Sequence, residues 1–94
     1  MEAYHTLNLI DGIFSPSEAT DVLVTLIRNK INFHNLEIFS LEERNGENIE
    51  RSKKRIEELK KTNEKLTEII QYAEKKDKFL KVFSSIEIEI INRQ

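Results

Sequence analysis

The sequence predicts an α+β fold in which a strand, two helices and a second strand follow one another. Three observations predict it: alternating apolar residues near both ends, apolar residues at helical spacing between them, and a helix-start motif after residue 14. We expect a long antiparallel helical hairpin packed on a small antiparallel sheet of the N- and C-terminal strands. Residues 1–94 would form a single domain, since domains commonly have 50 to 250 residues.

The first strand is expected in residues 4–10, YHTLNLI. Leu7 and Leu9 fall on one face of such a strand, while polar residues occupy the other, the period of two that half-buried strands show. Asp11-Gly12 follows, and we expect this turn-forming pair to end the strand.

A capping motif marks the start of the first helix. Ser15 can cap the helix, Pro16 fits its first position, and Glu18 completes an S-x-x-E capping box. Apolar residues then recur at steps of three and four, which predicts a helix that ends between Phe33 and Phe39. We expect Asn45-Gly46 to separate it from the next helix, because both residues tolerate left-handed backbone conformations.

Residues 47–76 are the longest regular segment and predict the second helix. Opposite charges four residues apart, Glu50 with Lys54 and Glu57 with Lys61, support it. Asn63 interrupts the apolar stripe. We expect it to hydrogen-bond Thr25 of the first helix or to lie at the solvent edge of the helix contact.

The chain ends with a strong strand pattern, FLKVFSSIEIEII. Isoleucines alternate there with Glu87 and Glu89, as in a half-buried strand. Ser84-Ser85 interrupts the alternation and suggests a bulge or a kink at that point. The isoleucines would share the helix-facing side of the sheet with the leucines of the first strand.

A two-stranded sheet is marginally stable alone, and its two edges are unpaired. Pairing of edges between two copies would make a four-stranded sheet, so we predict a homodimer. The alternative is a monomer whose helices cover the sheet adequately. The candidate dimer or sheet interface consists of Leu7, Leu9, Ile86, Ile88 and Ile90.

Composition narrows the functional classes. The chain has no cysteine, which excludes disulfides, thiolate metal sites and cysteine nucleophiles. His5 and His34 are far apart, so we predict no catalytic residues, no metal site and no cofactor. The sequence shows neither a membrane span nor a signal peptide, which leads us to expect a cytoplasmic protein with no membrane partner.

A basic cluster on the second helix is the alternative functional site. Its candidate nucleic-acid contacts are Arg51, Lys54, Arg55 and Lys61. Glutamates surround them, no aromatic residues interleave, and the net charge is −2, so a solvated helix face is favoured over nucleic-acid binding.

The stretches DGIFSPSEA, KINFH and LEERNGE resemble a family of small bacterial proteins of unknown function. The resemblance covers most of the chain and rests mainly on caps and turns, so it implies no catalytic residues. We therefore expect a small non-enzymatic protein-interaction or regulatory module that acts as a homodimer, with a protein partner that the sequence does not name.

Overall fold

The computed structural model describes residues 1–43 and 49–93. It confirms the α+β class, with one antiparallel sheet of two strands and a largely helical middle. The expected break at Asn45-Gly46 lies outside the described residues. In chain order the elements are β1 (Tyr4–Phe14), α1 (Pro16–Ala19), a π-helical turn (Thr20–Val24), α2 (Thr25–Glu43), α3 (Ile49–Lys75) and β2 (Leu80–Glu89).

The first strand is longer than predicted, because Asp11-Gly12 does not form a turn. Asp11 pairs with Phe83 and Gly12 with Val82, so β2 supplies cross-strand partners that override the local turn preference. A Cβ added at Gly12 would lie 3.4 Å from Cζ of Phe14, at ordinary contact distance.

The bulge of the sheet lies in β1, between Asn8 and Ile10, and not at Ser84-Ser85 as predicted. Those two serines lie directly across from it in the regular strand. Leu9 is the extra residue and has no partner in the register, whereas Leu7 is paired with Ile86. Cross-strand partners share a face of the sheet, so Leu7 and Ile86 lie on the same side.

The predicted capping box is present at the start of α1. The Glu18 N–H donates to Oγ of Ser15 over 3.2 Å, and the Ser15 N–H donates to Oε1 of Glu18 over 3.0 Å. The Ser15 N–H, followed by the Ser15 hydroxyl, lowers the pKa of the Glu18 carboxyl. Pro16 occupies the first turn, where a missing N–H costs nothing.

The first helical segment continues beyond the predicted end, to Glu43, and contains the π-helical turn. A π turn adds a residue to the helical repeat, which rotates the faces that flank it. Leu23 and Ile27 are half-buried as the apolar spacing predicted, but Val22 and Leu26 are exposed.

The helix α3 ends in a backbone motif with a left-handed residue. Asp77 has a φ of 54°. The Lys78 N–H donates to the Ala73 carbonyl over 2.8 Å, and the Asp77 N–H donates to the Glu74 carbonyl over 3.2 Å. These are the two hydrogen bonds of a Schellman motif, with aspartate where glycine is usual.

Asn63 of α3 lies half-buried, and its predicted hydrogen bond to Thr25 is not formed. Within the described part of the chain, its Oδ1 is buried without a partner. Its backbone carbonyl accepts a hydrogen bond from Oγ1 of Thr67 over 2.8 Å. Buried amide oxygens normally accept a hydrogen bond, so the Asn63 side chain is an exception within the helix α3.

The core lies among the helices and is small. Its buried apolar residues are Ala19, Ile56, Leu59, Ile70 and Ala73. The chain is extended: the Cα radius of gyration is 16.8 Å, whereas a compact domain of this length would have roughly 12 Å. The Cα extents of 50 × 36 × 15 Å describe a thin molecule, so much of its apolar surface remains uncovered.

Candidate interaction surfaces

A groove of about 680 Å³ lies between α2 and α3. Residues of α2 at spacings of four and three form one wall, because that spacing places side chains on one helical face. A basic stretch of α3 forms the other. The lining residues are Lys30, His34 and Glu37 of α2, with Arg51, Ser52, Lys54, Arg55 and Glu58 of α3.

Three of these side chains form a hydrogen-bonded cluster. Oγ of Ser52 donates to Oε1 of Glu37 over 2.6 Å, and Nδ1 of His34 lies 3.3 Å from the same oxygen. The Ser52 hydroxyl, followed by His34, lowers the pKa of the Glu37 carboxyl. Glu37 therefore stays ionised and links the two helices.

The order of this cluster differs from that of a serine nucleophile site. There a histidine accepts the serine proton, and a carboxylate orients the histidine from behind. Here Glu37 lies between Ser52 and His34, and Ser52 is only 5% exposed. The arrangement suits a cross-link between helices, and Nε2 of His34 is buried without a partner among the described residues.

The structure brings three of the four candidate nucleic-acid contacts to the groove. Arg51, Lys54 and Arg55 line it, whereas Lys61 does not. Lys30 and His34 join them from α2, and the sequence did not place them there. Their spacing of four residues was the available signal, but it does not say which face of α2 meets α3.

Salt bridges on α3 form three residues apart and not four. Neither Glu50–Lys54 nor Glu57–Lys61 is among those that the described residues form. Lys54 and Lys61 consequently keep their ammonium groups free of the described carboxylates. The observed pairs are Arg55–Glu58 at 2.9 Å, Lys60–Glu57 at 3.9 Å and Lys65–Glu68 at 3.8 Å.

The sheet presents the second candidate surface. Its predicted interface side chains are exposed by 40% to 54% instead of being covered by the helices. The buried apolar residues all belong to α1 and α3, and none of them lies on the strands. The predicted interface residues at the end of the sheet therefore stay exposed. Exposed apolar side chains occur on both faces of the sheet: besides the five predicted residues, Leu7, Leu9, Ile86, Ile88 and Ile90, they include Tyr4, Ile13 and Phe83.

Two further features are absent from the described residues. No group of three or more His, Asp or Glu side chains there is arranged to hold a metal ion. None of the helices in residues 1–43 and 49–93 is long and apolar enough to cross a membrane.

Comparison of the chain with known proteins finds no matching family model, no matching curated protein and no matching solved structure. The resemblance to small bacterial proteins of unknown function therefore stays a prediction.

Proposed function

We propose that this chain is a small, non-enzymatic, cytoplasmic protein-interaction or regulatory module that acts as a homodimer through its sheet. The helical hairpin of α2 and α3 would hold the two strands in place. The observation that carries the proposal is the exposure of Leu7, Ile86 and Ile88 in a sheet that has only two strands.

The energetics of a two-stranded sheet support association. Such a sheet is marginal by itself, and each open strand edge can pair with another chain. Fully burying a leucine or isoleucine side chain contributes about 1.5–3 kcal/mol. In an edge-paired dimer the exposed Ile86 and Ile88 of β2 would lie beside a strand of the second copy, and cross-strand contacts would remove part of their apolar surface from water.

The large radius of gyration of the chain independently supports the homodimer. The radius of gyration is 16.8 Å, and few apolar side chains are buried in the part of the chain that the structure describes. Domains are normally built from two packed layers around a core. A second copy would supply the contacts that one thin molecule lacks.

Light scattering coupled to size-exclusion chromatography tests the homodimer. We expect a mass of twice the 11.1 kDa of the chain. Ile86→Asp places a charge on the proposed interface and should shift the mass towards one copy. Leu36→Asp is the matched control, since Leu36 is an equally apolar residue on α2 that is 71% exposed.

Helical circular dichroism of both variants shows whether the helices persist. A wild-type mass of 11.1 kDa at every accessible concentration would refute the homodimer. Loss of the dimer in Leu36→Asp, with Ile86→Asp still dimeric, would place the interface on the helices and refute the sheet.

A second candidate function is nucleic-acid binding in the groove. It is favoured by one observation, which is that Lys30 of α2 joins Arg51, Lys54 and Arg55 of α3 along the same cavity. Binding to phosphates would be electrostatic and would weaken as salt concentration rises. Glu37 and Glu58 in the same lining oppose it, so this function ranks second.

Fluorescence polarisation with mixed-sequence single-stranded DNA and RNA tests the second function. Substituting both Lys54→Gln and Arg55→Gln should abolish a salt-sensitive signal, whereas Lys65→Gln, remote from the groove, should retain it. Equal binding by the two variants would argue that the groove takes no part.

A further inference from the structure

We propose that β2 of one copy pairs antiparallel with β2 of a second copy, in a register centred on Ser84. The result is a continuous four-stranded sheet in the order β1, β2, β2, β1. The inference rests on the proposed homodimer, and it adds which edge pairs, in which direction and with which side chains opposed.

The backbone along the two open edges favours β2 over β1 as the strand that pairs with a second copy. Each strand has one open edge, because the described sheet contains only β1 and β2. The bulge after Asn8 disrupts the row of backbone groups along β1, and bulges are a usual protection against edge pairing. By contrast, β2 has no extra residue, no glycine and no proline from Leu80 to Glu89.

The charges on β2 have no opposite charge across from them within one copy. Lys81 is paired with Ile13, and Glu87 is paired with Thr6. Neither Lys81 nor Glu87 forms a salt bridge with another described residue. Both lie on the same face of the sheet, because they are an even number of residues apart.

A two-fold axis at Ser84 would give each of these charged side chains a partner of opposite charge in the second copy. Residues equally distant from the axis then lie opposite each other, so Lys81 faces Glu87 of the second copy. Because the interface is isologous, the same contact forms twice. Opposite charges at facing positions of antiparallel strands stabilise the pair, while like charges destabilise it.

The same register also places apolar residues of the two copies opposite each other. Val82 falls opposite Ile86 of the second copy, and Leu80 falls opposite Ile88. Moving the axis to Ser85 would place Lys81 opposite Glu89. That register leaves Ile86 opposite Ser84 and the Glu87 carboxylate opposite Phe83, and it pairs Leu80 with Ile90, which lies beyond the end of β2. An axis at Glu87 places that carboxylate opposite itself, which is repulsive.

Cysteine cross-linking tests the register, since the chain has no cysteine of its own. Facing Cα atoms in an antiparallel pair are about 4.5–5.5 Å apart, a separation that a disulfide spans. Ser84→Cys should therefore form a covalent dimer rapidly under mild oxidation. Ser85→Cys is the matched control, because its two copies would be diagonal neighbours about 7–8 Å apart and out of easy reach.

Charge exchange supplies a second test that does not depend on cysteine. Lys81→Glu places like charges opposite each other twice and should weaken the dimer roughly tenfold or more. Glu87→Lys should do the same, and the doubly exchanged chain should regain the wild-type affinity. Each single variant keeps the apolar residues of the interface.

The outcomes separate this inference from the homodimer itself. A dimeric protein in which Ser85→Cys cross-links as fast as Ser84→Cys, or in which neither does, refutes the register and leaves the dimer standing. Failure of the double exchange to restore affinity also refutes the register. A wild-type protein that is monomeric refutes both.

Discussion

Oγ of Ser52 in α3 lies 2.6 Å from Oε1 of Glu37 in α2 and donates a hydrogen bond to it. The same oxygen is 3.3 Å from Nδ1 of His34. This cluster ties the two helices at the groove, well removed in the chain from the strands that we propose as the interface. Helix pairing and dimerisation can therefore be altered by separate substitutions.

The Glu37 cluster should make stability depend on acidity. The hydrogen bond from Ser52 lowers the pKa of Glu37 below its ordinary value of 4.5. A lowered carboxyl pKa contributes stability above the ordinary value and loses it as pH falls through the folded-state pKa. The stability advantage of the wild type over Ser52→Ala should thus be full near neutral pH and shrink below pH 4.5.

Urea unfolding of wild type and Ser52→Ala at a series of pH values measures this difference. Glu18 also has a lowered pKa, but its partner Ser15 is present in both proteins, so its contribution cancels. A difference that stays constant down to the lowest pH would contradict the role of Glu37.

The capping box gives the second prediction. Ser15→Ala removes the acceptor for the Glu18 N–H and should lower the free energy of unfolding by about 1 kcal/mol. Ser17→Ala, an exposed serine in the same turn, is the control and should change stability little. If chemical unfolding shows that both variants lose the same free energy of unfolding, the capping hydrogen bond does not contribute to stability.

Asn63 gives the third prediction. Asn63→Leu removes a buried, unsatisfied oxygen and should raise the free energy of unfolding by about 1–3 kcal/mol. Asn32→Leu on an exposed position of α2 controls for the higher helix propensity of leucine. The mass in solution should not change in either variant. No gain beyond the control would show that the amide is satisfied in solution.

Asp77 gives the fourth prediction. Its φ of 54° is a left-handed conformation that glycine adopts without steric cost, so Asp77→Gly should stabilise the chain by about 1 kcal/mol. Glu74→Gly, inside α3, should destabilise it by a similar amount. Thermal unfolding compares the two, and shifts of the same sign would be at odds with the helix-end geometry.

Local signals in the sequence predicted the helix start and most of the element order. Ser15, Pro16 and Glu18 form their motif within four residues, so no distant contact is needed to read it. The extension of β1 through Gly12 was not predicted, because it depends on pairing with β2, which lies about seventy residues away in the chain.

The candidate sites were predicted only in part for a related reason. The basic stretch of α3 is contiguous and was found, but its neighbours Lys30 and His34 depend on how α2 rotates against α3. The π-helical turn alters that rotation, and no residue pattern in the sequence predicted the turn. The open apolar face followed from periodicity, whereas its exposure in one copy required the structure.

Amide hydrogen exchange along β2, resolved residue by residue by NMR, tests the sheet-mediated homodimer most directly. Successive N–H groups of an antiparallel strand point to alternate edges, so in a single copy every second amide of β2 would exchange fast. We predict slow exchange at consecutive amides through the centre of β2, with alternating slow and fast exchange in β1, whose outer edge stays open. The same alternation in both strands would contradict the homodimer that we propose.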